Sequence, residues 1–123
     1  MKIIVNYYFD YKSPYAFLAD DYNTVLSKFS NVELRRLPFT LEIKKYLGEV
    51  ELDANGQDIL NSRNDHQWRR VKYSYMDCRR EANKRNMTIL GPKKIFDSRF
   101  AHASFLWASQ YDYRCDIFHQ KVF

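Results

Sequence analysis

Ser13-Pro14 is the residue pair in this chain best suited to chemistry. It follows the apolar and aromatic run 2–9 and precedes Tyr15-Ala16-Phe17-Leu18-Ala19, so it stands where a strand turns into a helix. Proline is favoured at the first helical position, where its missing N–H costs nothing. Ser13 is then the N-cap, with its hydroxyl beside the unpaired N–H groups at the positive end of the helix dipole. Such a place stabilises an anion. A Ser-Pro cap with no further duty is equally good local structure, and the pair alone leaves both readings open.

Asn64 and Asp65 offer a second cap, at the head of a long helix over 65–86. Arg69, Arg70, Lys72, Arg79, Arg80, Lys84 and Arg85 spread around that helix. Most such charges form a solvated face. Arg69 and Lys72, with Arg80, are the candidates to meet substrate carboxylates, which Arg binds bidentately. Tyr73 and Tyr75 lie among these cations, but helical spacing turns Tyr75 toward the core, which weakens an aromatic stacking platform for nucleic acid. Lys93-Lys94 reads as an exposed loop pair. Cys78 and Cys115 form no Cys-x-x-Cys and read as buried free thiols. Neither cysteine has metal-ligand spacing with His66, His102 or His119, so no metal is expected. His102, alone on an Ala-rich stretch, reads as a packing or surface residue.

The elements that must position these groups follow from periodicity. Residues 2–9 are nearly continuously apolar, the pattern of a strand buried on both faces in a mainly parallel sheet. A helix is expected over 14–29, with Leu18, Tyr22, Val25, Leu26 and Phe29 as the buried stripe and Asp20, Asp21, Asn23, Thr24 and Lys28 as the wet face. A second strand covers 32–39, with Pro38 at its end or edge. Strand, helix and strand make a βαβ unit, expected to be parallel and right-handed. Residues 42–48 suggest a short helical turn, and the polar stretch 49–62, with Asn55-Gly56, suggests a loop. On the long helix Trp68, Val71, Tyr75, Cys78 and Ala82 repeat at helical spacing as core positions. Asp97 or Ser98 caps a further helix to about residue 109, and 113–123 continues as helix. The expected organisation is 1–41 as βαβ and 42–123 as a helical segment that ends uncapped, with Ile117, Phe118, Val122 and Phe123 lacking an evident partner.

The run Phe9-Asp10-Tyr11-Lys12-Ser13-Pro14-Tyr15-Ala16-Phe17-Leu18-Ala19 resembles the DsbA-like branch of the thioredoxin fold. Within it, the closest match is to 2-hydroxychromene-2-carboxylate isomerases and kappa-class glutathione transferases. Two later segments resemble the same families in order. Asn64-Asp65-His66-Gln67-Trp68-Arg69-Arg70 is similar to the start of their insertion helix. Gly91-Pro92-Lys93-Lys94-Ile95-Phe96-Asp97-Ser98 is similar to the approach to their aromatic helix. The likeness spans this chain but only the N-terminal part of the family. It implies a thioredoxin-like α/β fold with a helical insertion, whose C-terminal ββα part and cis-proline loop have no counterpart here. The chain is therefore expected to be a fragment, inactive by itself.

The resemblance implies glutathione at Ser13 and Pro14, with the Ser13 hydroxyl facing the sulfur and Asn64 near glutathione and substrate. Ser13 and Ala16 occupy the two cysteine positions of dithiol relatives, so disulfide exchange is not expected. The implied activity is glutathione-dependent isomerase or transferase chemistry on an aromatic or other small electrophilic substrate. Homodimer formation stays open. The net charge of +5 suits anionic ligands of this kind. It equally leaves a basic nucleic-acid-binding module as an alternative, beside a non-catalytic thioredoxin-like binding or scaffold domain. No run is long and apolar enough for a membrane span. The strand begins directly after Met1-Lys2, so a cytoplasmic, reducing location is expected.

Overall fold

The computed structural model describes the backbone of residues 1–123 and all side chains except those of 112–114. The protein is mixed α/β. In chain order its elements are β1 (Ile3–Phe9), α1 (Pro14–Leu26), β2 (Val32–Pro38), α2 (Ile43–Leu47), β3 (Val50–Leu52), β4 (Asp58–Asn61), α3 (Asp65–Lys84), α4 (Arg99–Ala108) and α5 (Asp112–Val122). They form two compact units, Met1–Thr40 with Asp97–Phe123, and Leu41–Phe96. The helical region expected from residue 42 onward is thus divided, because α4 and α5 pack with the βαβ elements.

In the first unit β1 and β2 are parallel, in register from Ile3 opposite Val32 to Phe9 opposite Pro38. The Phe39 amide donates to the Phe9 carbonyl at 2.7 Å, one step beyond the ladder, so Pro38 costs the sheet only its own missing donor. β1 is not buried on both faces, contrary to the apolar pattern of 2–9. Phe9 is buried and Val5 and Tyr7 are half-buried, while Ile4, Asn6 and Tyr8 are exposed. This alternation is that of a strand covered on one face only.

The buried side of α1 also differs from expectation. Leu18 is buried as predicted, but Tyr22, Val25, Leu26 and Phe29 are exposed, while Asn23 is buried and Asp20 half-buried. A buried carboxylate is tolerable only with partners, and Asp20 has them in His119 and Arg36. The apolar floor of the unit is Phe9, Leu18, Phe105 and Ala108. Phe9 is its hub: the rings of Phe105, Tyr11 and His119 meet it edge-on at 5.1, 5.0 and 4.8 Å between centroids. The C-terminal aromatic residues do find partners. Phe123 lies 5.0 Å from Tyr11 and 6.0 Å from Phe17, and Phe118 reaches Tyr11. Ile117 and Val122 remain exposed.

In the second unit the stretch 49–62 is a hairpin, not a loop. β3 and β4 pair antiparallel, with an irregularity at Glu51/Leu52. The Asp53 carboxylate accepts from the Asn55 and Gln57 amides at 2.8 and 2.9 Å, and Gly56 adopts φ 83°. An Asx turn followed by a left-handed glycine reverses the chain within polar sequence. Leu52 N also donates to Lys93 O at 2.7 Å, so the segment after α3 returns to the hairpin. α3 buries Cys78 and Ala82 and half-buries Trp68, Val71 and Tyr75, as its periodicity predicted. No helix is long and apolar enough to cross a membrane among the described residues.

Candidate functional site

Ser13 is the N-cap of α1. Its backbone is extended (φ −91°, ψ 116°), its Oγ accepts from the Ala16 amide at 3.2 Å, and Pro14 opens the helix. The cap uses the oxygen as acceptor and leaves the hydroxyl proton for another partner. The first turn of α1 carries no acidic side chain. The positive end of the helix is therefore not cancelled from within its own turn. Ser13 itself is half-buried.

The turn that presents Ser13 is built around Asp10. Its carbonyl accepts from Ser13 N at 2.9 Å, and its carboxylate accepts from Lys12 N at 3.0 Å and Lys12 Nζ at 2.6 Å. Lys12 Nζ also donates to Ser98 Oγ at 2.9 Å. The Asp10 side chain is 1% exposed and that of Lys12 10%. A charged pair so buried is tenable only because each member has the other and further hydrogen bonds.

Two histidines bond to Tyr11, one at its backbone and one at its phenol. Tyr11 N donates weakly to His102 Nε2 at 3.4 Å, and His102 Nδ1 lies 2.7 Å from Thr40 Oγ1. In the neutral ring whose Nε2 accepts that N–H, Nδ1 carries the proton and donates to Thr40; Asp10 Oδ1 also lies 3.5 Å from Nε2. At His119 the assignment is reversed. Nε2 lies 2.9 Å from Asp20 Oδ1, an acceptor only, so it carries the proton, and Nδ1 accepts from Tyr11 OH at 3.0 Å. Arg36 continues the chain to Asp20 at 4.0 Å and to Asp116 at 2.9 Å. Burial pushes the Tyr11 phenol up, followed by the fields of Cys115 and Asp20. It pushes Tyr7 up to about 12, mainly by desolvation and then by the field of Asp20; Tyr7 OH donates to Ala16 O at 2.9 Å. Both phenols are thus held neutral as donors. Burial also holds His102 below its ordinary value, against the opposing pull of Asp10.

The other sequence-derived candidates belong to the second unit. Asn64 is exposed and caps α3 in a complete capping box. Its Oδ1 accepts from Gln67 N at 2.9 Å, and its backbone N–H donates to Gln67 Oε1 at 3.0 Å. Its side-chain oxygen is therefore committed to the helix. Arg69 is exposed. The Lys72 ammonium lies over the Trp68 ring at 5.8 Å, where the Arg63 guanidinium also sits at 5.0 Å. Ser13 and Pro14 thus share one corner, and Asn64, Arg69 and Lys72 share the beginning of α3. Cys78 is buried and Cys115 half-buried, both as free thiols, with the Cys115 thiol raised by burial and then by Asp116. Among the described residues no group of three or more His, Cys, Asp and Glu is disposed to hold a metal ion.

Sequence reasoning missed Asp10, Lys12, Ser98, Thr40, His102 and His119 as parts of the corner. Asp10 carried a usable signal, as a carboxylate closing an apolar strand two residues before a lysine. The histidines carried none, because Tyr11 and His119 are 108 positions apart. Comparison of the chain with family models, with curated proteins and with solved structures gives no match.

Proposed function

We propose that the Ser13 corner binds the thiol of glutathione, in a glutathione-dependent isomerase or transferase of the DsbA-like thioredoxin type acting on a small electrophilic substrate. The observation that carries this reading is the Ser13 cap, which keeps a donor hydroxyl at a helix N-terminus free of first-turn carboxylates. A free thiol ionises near about 8.5, and a helix N-terminus with a donor lowers that value. When bound, glutathione supplies a nucleophile that adds to an electrophilic carbon and leaves again. Ser13 donates its hydroxyl proton to the sulfur and orients it. Pro14 fixes the first helical φ, and so the direction of the amides behind it. Tyr11 and the corner's aromatic floor keep water from the buried side. Serine forms no mixed disulfide, and Ala16 offers no resolving thiol, so the corner suits addition and elimination better than disulfide exchange.

Calorimetric titration of the protein with reduced glutathione at neutral pH tests this. Binding is expected, and Ser13→Ala is expected to weaken it by about 1.5–3 kcal/mol, the range for a hydrogen bond to a charged group. An unchanged affinity in Ser13→Ala would remove Ser13 from the site.

A further inference from the structure

The group that decides how Ser13 is presented is not on α1. Asp10 holds three of the turn's donors: Ser13 N through its carbonyl, and Lys12 N and Nζ through its carboxylate. Its carboxylate sits in the turn that leads directly into α1, bonded to Lys12 N, and a negative charge so near a helix N-terminus opposes an anion bound there. Lys12 supplies the compensation. Its ammonium is almost wholly buried and is held by Asp10 and Ser98, so it cannot turn away into solvent as a surface lysine would.

We propose that the buried Asp10–Lys12 pair is the positioning and charge-setting element of the corner: Asp10 shapes the turn that aims Ser13, and Lys12 cancels the Asp10 charge so that the helix end acts undiminished on a bound sulfur. This rests on the reading of Ser13 as the sulfur site. Both residues act through Ser13 and the helix end and touch no substrate. The other ionisable groups around the corner are Asp97 before α4, tied to Arg99, His102 from α4, Tyr11, His119 from α5, Asp20 from α1 and Arg36 from β2. They are common to every variant below.

A thiol placed at the corner reports the field without any ligand. In Ser13→Cys, the pH dependence of iodoacetamide alkylation at that position, followed by peptide mass spectrometry, is resolved from Cys78 and Cys115. Its midpoint is expected below the ordinary thiol value of about 8.5. Adding Lys12→Met, which removes the ammonium from beside Asp10, is expected to raise the midpoint by on the order of one unit. Adding Lys12→Arg, which keeps the charge, restores it. Adding Asp10→Asn, which leaves Lys12 uncompensated, lowers it. A purely structural role does not produce opposite signs from the two members of one pair. Circular dichroism establishes that each variant is folded. Should Asp10→Asn fail to fold, the contrast of Lys12→Met with Lys12→Arg decides. Shifts of the same sign in Lys12→Met and Asp10→Asn, or no difference between Lys12→Met and Lys12→Arg, overturn the proposal. Absence of glutathione binding beside the expected thiol shifts overturns only the ligand reading.

Discussion

Ser13 and Asn64 do the same local job in different surroundings. Each is an N-cap whose side-chain oxygen accepts an amide three residues on, at 3.2 Å for Ser13 and 2.9 Å for Asn64. Asn64 stands in the open, and its cap is reciprocated by Gln67, which also donates to Tyr46 O at 3.1 Å. Ser13 is half-buried and follows directly on the buried Asp10–Lys12 pair, whose Asp10 carbonyl accepts from Ser13 N. The first arrangement stabilises a helix and ends there. The second places a donor hydroxyl next in sequence to a buried ion pair, whose charges are screened less than they would be in water.

The two caps differ most in what lies behind them, the apolar floor of the first unit. Phe9 is 2% exposed and meets the rings of Tyr11, Phe105 and His119 edge-on, so Phe9→Ala is expected to cost the first unit about 3–5 kcal/mol. Urea unfolding measures this, and a loss under about 1 kcal/mol would mean that the floor is not the corner's support. A smaller effect is expected at the open cap. Asn64→Ala should cost about 1 kcal/mol of stability. Asn64→Asp keeps the capping oxygen and removes the amide donor, so it should keep that stability. If Asn64→Asp lowers glutathione affinity instead, the amide is a ligand and the two caps are more alike than their surroundings suggest.

The pH response is smaller again and separates the units. His102 is held below its unfolded value of about 6.5 by burial. The unfolded chain therefore takes up this proton first as pH falls. The contribution of neutral His102 is full above about pH 6.5 and is lost as pH falls toward and through the folded value. Urea midpoints measured across this interval should fall more in the parent than in His102→Gln, and parallel curves would show that the imidazole is not kept neutral. The smallest expected signal is redox. The chain carries no Cys-x-x-Cys, so turnover of insulin disulfides should stay at background. Activity lost on Cys78→Ala with Cys115→Ala would instead make these thiols catalytic.

The elements themselves were largely legible. Pro14 after Ser13 marked the start of α1, and the spacing from Trp68 to Ala82 marked α3 and its buried side. Where reading along the chain failed, the reason was a partner elsewhere. Tyr22, Val25 and Phe29 have helical spacing suited to a core, yet they are exposed while Asp20 and Asn23 turn inward. Periodicity reports which residues share a face, and it cannot report that His119 and Arg36 wait to satisfy a carboxylate. Segment 49–62 looked like a loop because its residues are polar. Asp53 and Gly56 nevertheless make a turn that two short strands can close upon.

By itself the sequence determined the caps, the parallel pairing of the first two strands and the candidate hydroxyl at Ser13, because these depend on neighbours within a few residues or on one βαβ crossover. Only the tertiary structure decided that Asp10 and Lys12 are buried together, that His102 and His119 both bond to Tyr11, and that α4 and α5 belong with the strands. Those outcomes depend on which distant groups share a low-dielectric interior. There a charge or imidazole is stable only where a specific partner meets it.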